Sequence, residues 1–251
     1  SGGLDTSVIL RWLIEEYGCE VVAYCADVGQ EEELSGLPEK ALASGAVDCI
    51  LRDVREEFVA DYVFPAIHAA AIYEGTYLLG TALARPVIAK HHVEVARETG
   101  CDAVSHGATG KGNDQVRFEL AFRALGPELK VIAPWREWDL RSRSDCMVYA
   151  EKFDIPVTAT LKKPYSIDQN IWGCAIECGE MENLWTEPPL EVWRVTKDPS
   201  LAPKGSVELI IEFDQGIPVG IDGRPMGGIE LIEYLNDVAG TFGVGRIDMV
   251  E

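Results

Sequence analysis

Between Val8 and Tyr17 the apolar residues Ile9, Leu10, Trp12, Leu13 and Ile14 recur at helical spacing and cover much of the circumference, which predicts a helix buried on most sides. Gly18 marks its end. EVVAYCADVG follows as a β-branched and aromatic run ending in Asp27 and Gly29, the profile of a fully buried parallel strand. Glycines, helix, glycine stop and strand in that order predict a βαβ unit whose first strand would precede Ser1. The alternation continues with a helix near Pro38 to Ser44, a short strand at CILRDV, a helical stretch from Glu56 to Ile72 and another from about Arg85 to Thr99. Pro86 suits the first turn of that last helix, and Gly100 closes it. CDAVSHG and KVIAPW read as two more buried strands, the second cut by Pro134, and SDCMVYAEKF reads as a helix. Repeated βα alternation over residues 1 to about 160 predicts a doubly wound parallel sheet, the α/β class.

After KKPYSIDQN the texture changes to WTEPPLEVW and DPSLAPKG, then to SVELIIEFDQGIPVGIDGRPM, which reads as two strands around a glycine-containing turn. GGIELIEYLNDVAG is a helix with a glycine at each end, and RIDMVE has the look of a strand. We therefore expect a first domain over residues 1–162 and a second, α+β domain over 163–251. No internal repeat or low-complexity tract interrupts them.

Composition narrows the class. The 251 residues, 47% hydrophobic, suffice for one large core or two smaller ones. No run of 18 apolar residues and no basic leader is present, so the default expectation is a cytoplasmic protein with no membrane partner. With 42 acidic against 22 basic residues the formal charge is −20, which demotes a nucleic-acid partner, although Arg136, Arg141 and Arg143 cluster. Seven cysteines form no CxxC pair and read as buried reduced thiols. Cys174 and Cys178 would lie one helical turn apart if that stretch were helical, but His68, His91, His92 and His106 offer no zinc-finger spacing.

The opening SGGLDTS carries chemistry. A glycine pair after a parallel strand lets the backbone approach a ligand, and the free amides of the helix that follows point at it, a geometry that binds anions. Ser1, Thr6 and Ser7 can add hydroxyl donors. Asp5 would repel a phosphate unless it orients the loop or helps hold a magnesium that the phosphates share. The plainer alternative is a Gly-Gly turn with Asp5 as a cap. The Walker A and GxGxxG patterns both fail, since Lys111 of GATGKG is followed by Gly112, and GKGNDQ ends in Gln115.

HGATGKGNDQVRFE forms a second constellation, because CDAVSHG brings a strand to the sheet edge where open α/β sheets bind ligands. A helix starting at Asn113 or Asp114 places Arg117 on the same face as both. Arg117 could then grip a carboxylate while Asp114 held an ammonium, a pairing suited to an amino acid. The alternative is an Asp114–Arg117 surface pair of small energetic value.

SGGLDTS resembles the SGGxDS loop of the ATP pyrophosphatases (the PP-loop superfamily, with its adenine nucleotide alpha hydrolase-like fold). Together with ADVGQEEE, FPAIHAAAIYEGTYLLGTALARP, HGATGKGNDQVRFE, APWREW, KPYSIDQNIWG, EPP and GVGRIDMVE, in this order, it is similar to the argininosuccinate synthase family along the whole chain. The resemblance implies an ATP-dependent ligase that joins citrulline to aspartate through a citrullyl-AMP intermediate, with release of AMP and pyrophosphate, in arginine synthesis or the urea cycle. It implies ATP as co-substrate with Mg2+, and a homotetramer for the complete protein. By family match, Ser1, Gly2, Gly3, Leu4, Asp5, Thr6, Ser7, Ala26 and Gly107 would line ATP. Tyr77, Asn113, Arg117, Ser166 and Glu251 would hold citrulline, and Thr109, Asn113 and Asp114 would hold aspartate. Asp5, Asn113 and Arg117 are the candidates closest to the chemistry, and no metal ligand set follows beyond Asp5. Members of the family begin with a short strand before this loop and continue past Glu251, so the chain is expected to be truncated at both ends. Ala82, Cys174 and Ala175 stand where many members carry GTS and WGRS.

Two competing readings remain at this point. Another adenylating pyrophosphatase, such as a tRNA thiolation enzyme or an ammonia-dependent amidase, would want catalytic cysteines or a basic surface. A non-catalytic nucleotide-binding module would keep the fold and lose the substrate contacts, as Ala82, Cys174 and Ala175 would allow.

Overall fold

The computed structural model describes residues 3–30, 34–156 and 165–249. In chain order the elements are α1 (Leu4–Tyr17), β1 (Val22–Asp27), α2 (Leu37–Ala43), β2 (Asp48–Asp53), α3 (Arg55–Glu57), a π-helical stretch over Phe58–Val63, α4 (Phe64–His68) and α5 (Gly80–Glu98). Then come β3 (Ala103–Ser105), α6 (Asn113–Leu125), β4 (Lys130–Ile132), α7 (Pro134–Glu137), α8 (Arg143–Lys152), β5 (Ser166–Asn170) and β6 (Gly173–Glu177). After three short 3-10 turns (Gly179–Glu182, Leu190–Val192 and Pro199–Leu201) come the antiparallel strands β7 (Ile211–Asp214), β8 (Ile217–Ile221) and β9 (Arg224–Pro225) and the helix α9 (Gly228–Thr241). By packing, the chain divides into one unit of Ser1–Asp27, Glu31–Val54 and Arg85–Leu161 and another of Val28–Gln30, Arg55–Ala84 and Lys162–Glu251. No helix among the described residues is long and apolar enough to cross a membrane.

The first unit is α/β with parallel strands, as the alternation predicts. β1 pairs with β2 from Val22↔Asp48 to Asp27↔Asp53, and β3 pairs with β4 from Ala103↔Lys130 to Ser105↔Ile132. Leu4, Val8, Ile9 and Leu13 of α1 join Ile132, Trp138, Cys146, Ala150 and Ile155 in one core cluster. Complete burial of an apolar side chain such as Val8 contributes about 1.5–3 kcal/mol. Gly18 stops α1 in the left-handed region, its amide donating to the Ile14 carbonyl at 2.9 Å. A second cluster sets Ala89, Val93 and Ala96 of α5 against Val104, Phe122 and Leu129.

Three sequence expectations are corrected. α5 begins at Gly80, so Pro86 lies inside the helix and removes the amide that would have bonded the Ala82 carbonyl. The run from residue 55 ends at His68 instead of continuing to Ile72. The Ala71 amide folds back to the Ala66 carbonyl and Ala70 takes a positive φ of 48°, a Schellman-type stop without its usual glycine. Residues 246–249 form no strand. Arg246 instead donates to the hydroxyl and the carbonyl of Thr196 and lies 4.6 Å from the Trp193 ring centroid.

In the second unit β5 and β6 form a hairpin, and the turns joining β7 to β8 and β8 to β9 hold Gln215–Gly216 and Asp222–Gly223 at positive φ, the conformation that tight hairpins demand. α9 buries Leu231 and Ile232, and a Cβ on Gly228 would come within 2.7 Å of Val59 and 3.0 Å of Phe64.

One pH effect arises in the first unit. The His92 ring sits between Tyr24 and Phe122, with centroids 5.2 and 5.3 Å away. Burial, with repulsion from His106, pushes its pKa down to about 4. An unfolded histidine titrates near 6.5, so the unfolded chain binds more protons between those values, and stability is lost as pH falls from about 6.5 toward 4. After allowance for the ring's partial exposure, His92→Gln is expected to reduce the drop in unfolding free energy between pH 7 and pH 4.5 by on the order of 2 kcal/mol. Urea unfolding of both proteins at the two pH values measures it, and parallel pH profiles would reject the assignment.

Candidate active site

Gly3 is the extended residue before α1, with φ −72° and ψ 177° and no side-chain cap, so the first amides of the helix have no intrahelical acceptor. The Thr6 and Ser7 hydroxyls donate to the Gly3 carbonyl at 3.2 and 2.9 Å, which fixes the turn and must be exchanged before either hydroxyl can donate to a ligand. Leu4 and Ser7 are buried, and Asp5 is exposed. The Asp5 carboxylate has no hydrogen-bond partner among the described residues. The surrounding protein raises its pKa against the opposing charge of Arg143. Ala26 is buried near the carboxyl end of β1, opposite Arg52. Ser1, Gly2 and Glu251 lie outside the described residues.

The loop after β3 lies against the start of α1. A Cβ on Gly107 would meet Ile9 Cδ1 at 3.3 Å and Thr6 Cγ2 at 3.6 Å, so both glycine-containing segments share one edge of the unit. A Cβ on Gly110 would press the Arg136 side chain at 3.0 Å, and one on Gly112 would sit 3.6 Å from Thr109 Oγ1. α6 then starts at Asn113 behind Gly112, extended and again without a side-chain cap. Two uncapped helix N-termini thus belong to one unit, each a ready anion site.

Asp114 is held from two helices. Its Oδ2 accepts from both Nε and Nη2 of Arg85 at 2.8 Å, and its Oδ1 accepts from Arg117 Nη1 at 2.8 Å. The three side chains are 17–29% exposed, so this is neither a solvated surface pair nor a free carboxylate. Arg85 was not a candidate in the sequence, because 29 residues separate it from Asp114; the ARP triplet within a helical stretch was its only signal.

His106 was also missed. Its Nδ1 accepts the Ala108 amide at 3.3 Å, which leaves Nε2 to donate toward Glu119 at 3.4 Å. Glu119 pairs in turn with Arg136, whose other guanidinium nitrogen donates to Gln115. Burial lowers the His106 pKa in spite of Glu119, so the ring that steadies the loop is neutral.

Tyr77 and Ser166 belong to the second unit. The Tyr77 hydroxyl accepts the Ala82 amide at 3.2 Å, and residues 73 and 77 bridge around Gly75. Asn170 at the end of β5 donates to the Gly80 carbonyl, and Trp172 Nε1 donates to the Leu78 carbonyl, which ties this loop to the β5–β6 hairpin. Ser166 opens β5 opposite Glu177, and Cys174 and Ala175 lie in β6 opposite Gln169 and Asp168. A cavity of about 370 Å3 in this unit, lined by Ala60, Phe64, Pro65, His68, Ala69 and Ile217, contains none of the candidate residues.

None of the seven cysteines forms a disulfide, but only Cys146 is buried and Cys19 and Cys178 are exposed, which corrects the expectation of buried thiols. Among the described residues no three His, Cys, Asp or Glu side chains gather into a metal-binding group.

The family described as Arginosuccinate synthase N-terminal HUP domain matches residues 1–156, and the one described as Arginosuccinate synthase C-terminal domain matches residues 165–251. Proteins named argininosuccinate synthase from Roseiflexus sp. (strain RS-1), Syntrophus aciditrophicus (strain SB) and Desulfatibacillum aliphaticivorans are 53%, 54% and 55% identical to it. These alignments cover all of this chain and 62–63% of the relatives' length.

Proposed function

The chain belongs to the argininosuccinate synthase family, and from that premise we propose that the protein joins citrulline to aspartate, with cleavage of ATP to AMP and pyrophosphate. The observation that carries the proposal is the shared edge of the first unit, where the uncapped starts of α1 and α6 flank the Gly107 loop and the Arg85–Asp114–Arg117 group adjoins them in sequence. In the proposed reaction the citrulline ureido oxygen attacks the α-phosphorus, the α–β bond breaks and pyrophosphate leaves. The aspartate amine then displaces AMP from the citrullyl-AMP intermediate.

Residues Ser1 to Ser7, Ala26 and Gly107 would receive ATP. The free amides of α1 would face its phosphates, where fixed dipoles stabilise charge without reorganising. Asp5 is a carboxylate with an upward-shifted pKa and one neighbouring cation, which fits a Mg2+ that keeps most of its ligands as water and phosphate. Asp5 would hold that ion, which when bound would supply neutralisation of phosphate charge. Arg117, with Tyr77, Asn113, Ser166 and Glu251, would grip citrulline, while Thr109, Asn113 and Asp114 would hold the aspartate. The Ala82 amide donates to the Tyr77 hydroxyl, an arrangement that would leave the phenol proton to be donated to citrulline.

Partial or full removal from water pushes the Cys49 and Cys146 thiols up, Cys146 to about 11, the opposite of what a cysteine nucleophile requires. That observation and the charge of −20 argue against the amidase and tRNA-modifying alternatives. We also propose a cytoplasmic homotetramer with no nucleic-acid or membrane partner. Trp185, 97% exposed, and Leu201, 77% exposed, are apolar surface that such an assembly would cover.

The test is to incubate the full-length protein with α-labelled ATP, magnesium and citrulline, with and without aspartate, and to separate the nucleotides. AMP formed in step with argininosuccinate, only when both amino acids are present, is the expected result. A folded, ATP-binding protein without citrulline-dependent cleavage would overturn the proposal and favour a binding module.

A further inference from the structure

The Asp114 carboxylate carries one negative charge and receives two guanidinium groups. Arg85 approaches from α5 and commits both Nε and Nη2 to a single oxygen, while Arg117, one turn along α6, commits only Nη1 to the other. Among the described residues Arg117 has no other hydrogen-bond partner. The remaining guanidinium donors of Arg117 therefore stay available, at a helix start whose dipole favours an anion. Without Arg85, an aspartate and an arginine at i and i+3 would neutralise each other, and Arg117 would be drawn into that local pair.

We propose that Arg85 is a positioning residue, satisfying Asp114 from a second helix so that Arg117 keeps guanidinium donors for a substrate carboxylate. This role rests on the citrulline–aspartate reading and is separable from it. Arg85 does not touch the substrate in this scheme. It acts through Asp114, its guanidinium lying 5.9 Å from the Phe118 ring centroid, which helps hold its plane.

The experiment measures steady-state KM for ATP, citrulline and aspartate in full-length wild type, Arg85→Gln, Arg85→Lys and Arg85→Gln/Asp114→Asn, with thermal unfolding to verify the fold. Arg85→Gln is expected to raise KM for citrulline about 10-fold and leave KM for ATP within about twofold, because only the amino-acid carboxylate loses its counter-charge. Arg85→Lys restores part of the loss, since it returns the charge without the fork. The double variant recovers citrulline KM relative to Arg85→Gln, because neutralising residue 114 frees Arg117 again, while its aspartate KM stays high. Equal increases for ATP and citrulline, an unchanged citrulline KM in Arg85→Gln, or no recovery in the double variant would each overturn the inference. A wild type without citrulline-dependent turnover would remove the ligase reading itself, and the inference with it.

Discussion

Replacing Arg117 with alanine is expected to weaken citrulline binding roughly 30- to 150-fold and leave ATP binding within about twofold, the effect of deleting a charge-assisted carboxylate contact in a partly shielded site. That range corresponds to about 2–3 kcal/mol, below the value for a fully desolvated pair because the Arg117 side chain is 29% exposed. Asp114 keeps its two bonds from Arg85, so the start of α6 should hold its conformation and the loss should fall on the ligand. Arg117→Lys is expected to recover only part, as an ammonium cannot reproduce a planar bidentate grip. Calorimetric titration of citrulline in the presence of a non-hydrolysable ATP analogue, with the analogue titrated separately, measures both affinities. An equal loss of both would assign Arg117 to the architecture of the helix start and remove it from the citrulline site.

Local chemistry made much of this site legible in the sequence. The glycines of SGGLDTS, the apolar face of α1 and the Asn113–Asp114–Arg117 spacing each encode their outcome within a few residues, and α1 and α6 stand where those signals put them. What could not be read depends on contacts between distant segments. The Arg85–Asp114 bond joins two helices, and the Thr6 and Ser7 hydroxyls chose the Gly3 carbonyl in a turn whose geometry no residue type dictates. His106 could be seen only as a histidine after a strand, because its role is set by Glu119 and Arg136 further along the chain. The end of α4 and the start of α5 depart from the pattern because a local rule is overridden: alanine takes the left-handed stop usually given to glycine, and proline is admitted inside a helix.

A glycine in the second unit gives a prediction opposite in sign to helix propensity. Gly240 lies in the last turn of α9, where replacing glycine by alanine ordinarily stabilises a helix by about 1 kcal/mol. Here an added Cβ would fall 2.4 Å from the Val195 carbonyl oxygen, a backbone atom that cannot move aside by changing rotamer. The crossing segment is also tied down, since the Lys197 amide donates to the Gly240 carbonyl at 2.9 Å. Gly240→Ala is therefore expected to destabilise the protein by about 2–4 kcal/mol net, the overpacking of a close backbone approach outweighing the propensity gain. Gly227→Ser is the control: that residue precedes α9 with φ −67° and open space around its Cβ, so a capping serine should leave stability unchanged or raise it slightly. Urea unfolding midpoints for the two variants and wild type decide the matter. A Gly240→Ala protein more stable than wild type would mean that residues 195–197 do not lie against α9 in solution, and that this end of the helix is open to whatever the rest of the protein brings to it.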